Sequence, residues 1–119
     1  MLKISLDEAY VFDMLSVFDV KIKKLTGEKL LLTLEKYADM ANEVIDQIGV
    51  EKYNDMTLSA EFKSMIDANL KIFELIDKSK NDTGLAKITD DANYDRHIAK
   101  MAFQKRFFDS ELTEVKNRE

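Results

Sequence analysis

The chain has 119 residues, 18 basic and 23 acidic side chains, a net charge of −5, three Gly and no Pro or Cys. That length suits one domain, and the missing Cys excludes a disulfide framework and thiol chemistry. The acidic balance, with no basic stripe, argues against a nucleic-acid partner, and the scarcity of Gly and Pro argues against a turn-rich β-sandwich.

Ser5-Leu6-Asp7-Glu8 reads as a capping box, so a first helix is expected over about residues 6–26. Val11, Leu15, Phe18, Ile22 and Leu25 recur at alternating spacings of four and three, which places them on one face. Gly27 is positioned to close that helix. A second helix is expected over about residues 28–48, with Leu30, Leu34, Tyr37, Ala41, Val44 and Ile48 as its stripe and Gly49 as its stop. Leu31, Leu32, Met40 and Ile45 widen the stripe, as in a helix that meets more than one neighbour. Phe18 and Leu34 are expected core positions. The short connection at Gly27 makes this pair an antiparallel hairpin.

Residues 50–56 suit a short helical turn. Thr57 or Ser59 then caps a third helix over about residues 58–78, whose face is Phe62, Met65, Ile66, Leu70, Phe73 and Ile76. Residues 78–84 form the clearest loop. Leu85 to Ile88 can be read as extended or as the first turn of the last helix. That helix is expected over about residues 90–116, with Tyr94, Ile98, Met101, Phe108, Leu112 and Val115 facing inward. Lys105 fills a gap in the stripe and is expected to lay its stem on the core. The fold class is therefore all-α: antiparallel helical hairpins in a three- to four-helix bundle, in one domain spanning residues 1–119.

Asp90, Asp91, Asp95 and the single histidine, His97, form the one group with metal-ligating chemistry. The alternative function is a metal-binding module or metal-dependent enzyme built on this cluster, with Asp91, Asp95 and His97 as the candidate ligands. A di-iron bundle would need Glu-x-x-His on two helices, and position 94 is Tyr. The commoner reading is helix-start carboxylates favoured by the macrodipole, beside a lone His. Residues 79–90 have the length of a calcium loop, but Ser79 replaces the leading Asp and Asp90 the closing Glu. Glu35, Glu43, Asp46 and Glu51 lack a paired Glu-x-x-Glu spacing in their helix and read as a solvated face. No catalytic residue and no cofactor site is read from the sequence.

Gln104-Lys105-Arg106 lies between Phe103 and Phe107-Phe108. Tyr10, Phe12, Phe103 and Phe107 exceed what one small core would be expected to hide, so they are the interface candidates, and a homodimer would bury them.

Asp13-Met14-Leu15-Ser16-Val17-Phe18-Asp19-Val20-Lys21-Ile22-Lys23-Lys24-Leu25, followed by Glu28-Lys29-Leu30, resembles the opening of an uncharacterised family of small helical proteins of bacteria and phages. Lys105-Arg106 and residues 110–116 are also similar, and together these stretches cover about half the chain. Met14 stands where that family has Lys. The resemblance implies a small, phage-type helical protein and supplies no reaction; Asp13, Lys21 and Lys116 are matching polar positions without assigned roles.

The expectation is a non-catalytic interaction or accessory protein that works through a helical surface, on a protein partner or on itself. No signal-peptide core and no apolar run of roughly 20 residues occurs. A cytoplasmic location, with no membrane partner and no nucleic acid, is expected.

Overall fold

The computed structural model describes residues 6–79 and 86–112, without the side chains of 77–79 and 86–87. Among these residues the chain forms five helices: α1 (Glu8–Lys24), α2 (Gly27–Ile48), α3 (Val50–Thr57), α4 (Ala60–Ser79) and α5 (Ala86–Phe108). They pack as an all-α bundle of antiparallel hairpins. The four expected helices become five because the ambiguous stretch after Gly49 is a helix of its own. The last helix starts at Ala86, so Ala86 to Ile88 are helical, while Leu85 lies outside the described residues.

Local chemistry sets the boundaries. The N-cap of α1 is Asp7, and the expected N-cap, Ser5, lies outside the described residues. One orphan amide at this end is satisfied from far along the chain: Ala9 N–H donates to Oε1 of Gln104 at 2.8 Å. Gly27 does not end α1 as expected. Leu25 is the C-cap, its amide donating to the Lys21 carbonyl at 2.8 Å, and Gly27 opens α2 at φ 63°. Gly49, at φ 90°, both closes α2 and opens α3: its amide donates to Ile45 O at 2.8 Å, and its carbonyl accepts from Tyr53 N at 3.1 Å. A side chain would be strained at that φ. Ser59, not Thr57, caps α4, its Oγ accepting from Phe62 N at 3.1 Å.

α4 and α5 form the most extensive pair, and α1 packs on both. α2 leans on α1 and meets α3. At the centre is an aromatic cluster to which four helices contribute one ring each. Phe12 lies 4.9 Å from Phe103, 6.2 Å from Tyr53 and 6.2 Å from Phe62, the last in an edge-to-face arrangement. Such pairs add to the gain from area burial alone.

Two stripes need correction. On α1 the buried face is Ala9, Phe12, Leu15, Ser16 and Val20, while Val11 and Phe18 of the expected stripe are half-buried and face a cleft shared with α2. Of the expected stripe Leu15 reaches the core face while Val11 and Phe18 fall on the hairpin seam, because the core face also carries Ser16 and, at its edge, Asp13. On α5 the buried residues include Ala92, His97, Ala99, Lys100, Phe103 and Gln104, and the expected Ile98 and Met101 are exposed. Polar side chains fill half of that inward face, so apolar spacing points the wrong way. Lys100 is buried, its ammonium 4.3 Å over the Tyr10 ring, whereas Lys105 is exposed and pairs with Asp109 at 3.2 Å.

Candidate functional site

α2 covers α1 incompletely. Leu34, an expected core residue, is 42 % exposed and Leu31 is 67 % exposed, because α1 and α3 alone give α2 substantial support. Between α1 and α2 lies a groove of about 770 Å³. Its floor is apolar: Val11, Met14 and Phe18 from α1, and Met40, Val44 and Ile48 from α2, with Phe108 of α5 also lining it. Its polar lining is Glu8, Lys36, Asp39, Glu43 and Gln47. The α2 wall from Lys36 to Ile48 is about 20 Å long at 1.5 Å per residue.

Polar side chains of α1, α2 and α3 gather behind that wall. Tyr37 of α2 lies close enough to Asp19 of α1 and Tyr53 of α3 for both to act on its hydroxyl. Burial is the main reason the Tyr37 hydroxyl is pushed above its ordinary range, with Tyr53 and the Asp19 charge adding to it. Burial also raises the Asp19 carboxyl, against the opposing pull of Lys23 and of the nearby Tyr37 hydroxyl. Lys52 of α3 lies 4.7 Å over the ring of Phe108.

A second polar cluster pins the other side of α1 to α4 and α5. Asp13 is 3 % exposed. Its carboxylate accepts from Arg96 in a two-point contact, with Nε 3.0 Å from Oδ1 and Nη2 on Oδ2, and from Asn69 Nδ2 at 2.9 Å. Asn69 also donates to Ser16 Oγ at 2.7 Å, and Ser16 Oγ donates to the Asp13 carbonyl at 2.6 Å. The carboxylate is thus held by a fork of donors, the arrangement that makes burying an ion tolerable. Sequence reading marked Asp13 as a matching position without a role; Arg96 and Asn69 gave no signal, since their partners are 83 and 56 residues away.

The metal reading finds no assembled site. Asp90 and Asp95 are exposed and Asp91 is half-buried, whereas His97 is 2 % exposed and turned into the bundle, two residues from Asp95 and so on a different face of α5 from it. Among the described residues no three His, Cys, Asp or Glu side chains come together to hold a metal ion. The calcium-loop reading falls mostly outside the described residues.

Two interface candidates are corrected as well. Phe12 and Phe103 are 2 % and 0 % exposed and form the centre of the chain's own core; Phe12 reaches only the base of the groove. Tyr10 is half-buried beneath Lys100. Phe107 is half-buried, 5.0 Å from Phe103, with the Arg106 guanidinium 4.8 Å over its ring. That guanidinium also pairs with Glu61, whose carboxyl it holds below the ordinary carboxylate range. Gln104 joins the ends of α1 and α5, its Nε2 donating to Glu8 Oε1 at 3.3 Å and to Ser110 Oγ at 2.9 Å. Of the α2 carboxylates read as a solvated face, Glu43 returns as part of the groove lining.

No family model, curated protein or solved structure matches the chain. Among the described residues no helix is long and apolar enough to cross a membrane.

Proposed function

We propose that this protein is a non-catalytic binding module that takes an amphipathic helix of a partner protein into the groove between α1 and α2. The observation that carries the reading is the apolar floor of that groove, left open by the helices of the described residues. A cleft between two packed helices, about 20 Å long, suits three anchors at i, i+4 and i+7 of a third helix, which span roughly 11 Å. An accessory role fits the resemblance to small helical proteins of phages and bacteria.

The test uses a fluorescent designed helix with three Leu anchors and neutral Gln flanks. Saturable anisotropy binding is expected, and Met14→Glu and Met40→Glu should abolish it with unchanged circular dichroism. Met14 is exposed and Met40 half-buried, so both variants should fold. No saturable binding, or binding that survives both substitutions, overturns the reading. The homodimer is the competing occupant: a concentration-dependent dimer by sedimentation that Met14→Glu dissociates would replace the partner helix with a second copy.

A further inference from the structure

We infer that the helix this groove accepts is basic, carrying Lys or Arg at positions three or four apart beside its apolar stripe. The inference rests on the groove reading above and specifies its partner. Among the described residues three carboxylates line the groove, Glu8, Asp39 and Glu43, against one ammonium, Lys36. From Asp39 to Ile48, α2 carries Asp39, Glu43 and Asp46 and no basic residue. The same stretch ends in a helix C-terminus whose last turn has no basic side chain. The partial negative charge of the α2 macrodipole therefore adds to the carboxylates instead of being offset. Glu8 is already engaged by the Gln104 amide at 3.3 Å, so the attraction centres on Asp39 and Glu43.

Both of those side chains are exposed, and they stand one helical turn apart at i and i+4. A helix lying along the groove meets them with two cations at the same spacing. The positive charges nearby bracket this stretch. Lys36 precedes Asp39 on the same wall, and the Lys52 ammonium is occupied over the Phe108 ring. A neutral or acidic residue on the partner is favoured opposite Lys36. A second copy of this chain, at net −5, brings like charge to the groove, as does an anionic lipid surface.

Three designed helices with identical Leu anchors, flanked by Lys, Gln or Glu, separate the possibilities. Affinity is expected to fall in that order, with about a tenfold gap between the Lys and Glu peptides at low salt that shrinks at high salt. In the Asp39→Asn/Glu43→Gln double variant the gap should close while the Gln peptide binds as before. Equal binding of all three peptides, or tighter binding of the Glu peptide, overturns the inference and leaves the groove reading standing. A gap that persists in the double variant also overturns it, because general net charge would then be its source. If none of the three binds, the groove reading falls and the inference falls with it.

Discussion

The two sides of α1 meet very different surroundings. Toward α4 and α5, Phe12, Leu15 and Ser16 are sealed from water, and Asp13 is locked into its fork with Arg96. Toward α2, Val11 and Phe18 stay half-buried at the edge of an open groove. The sealed side mixes large rings with a buried charge and a hydroxyl; the open side sets an apolar floor beside the charged side chains of Glu8, Lys36, Asp39 and Glu43. Apolar periodicity marks the deepest burial on α4, at Phe62 and Met65, but only in part on α1 and poorly on α5. Depth comes from how many helices surround a position, and α1 has two long neighbours on one side and one on the other.

Truncation on the two sides should therefore differ most. Phe12→Ala removes the ring that touches Tyr53, Phe62 and Phe103, and is expected to cost about 3–5 kcal/mol. Leu34→Ala, on the open side of α2, should cost less than about 1 kcal/mol, since a large part of its side chain is already in water. Urea denaturation of both variants checks the contrast, and equal midpoints would erase it.

The Asp13 cluster sharpens the comparison. Arg96→Met keeps the stem and leaves the buried carboxylate with the Asn69 amide as its remaining side-chain donor. Removing one member of a buried pair costs about 3–5 kcal/mol, and the partial exposure of Arg96 puts this case near the lower end. Asp13→Asn in the Arg96→Met background should recover part of the loss, because the uncompensated charge is then gone. A double-mutant cycle by urea denaturation reads that coupling.

A smaller effect is expected where α5 completes the start of α1. Gln104→Ala strips the acceptor from the Ala9 amide and the donor from Glu8 and Ser110, at about 1–2 kcal/mol. Gln104→Glu restores the acceptor but sets a carboxylate against Glu8, so it should not recover full stability at neutral pH. Amide exchange at Ala9 should quicken in the Ala variant.

The all-α fold was legible because Leu, Ile, Val and Phe recur every three or four positions and Gly49 interrupts the chain where α2 ends. The hairpin of α1 and α2 followed from the same pattern. The α5 register was not legible: His97, Lys100 and Gln104 face inward, and the last two are admitted by groups far away in sequence, the Tyr10 ring beneath Lys100 and the Ala9 amide on Gln104. The groove was only partly legible. Met40 and Ile48 were seen as apolar positions, but whether a neighbour covers them is a property of helix placement. Asp39 was invisible as a site residue, since an exposed acid on a helix looks the same whether or not it borders a cleft.

Asp19, on the α2-facing side of α1, gives the smallest effect and the one with a pH signature. Burial raises its carboxyl above the ordinary value of 3.8, so the native state holds the proton more tightly than the unfolded chain does. Between those two values the folded protein binds more protons, and stability falls as pH rises. The contribution is fully unfavourable above the folded value and vanishes below the unfolded one. Asp19→Asn keeps a polar side chain of the same size beside Tyr37 and removes the charge. The variant should be slightly more stable than wild type at neutral pH, and the gap should close as pH drops through the acid range toward 3.8. Thermal unfolding in a buffer series measures this. A gap that widened on acidification would mean that the attraction of Lys23 outweighs desolvation, and that Asp19 supports the wall of the groove through its charge.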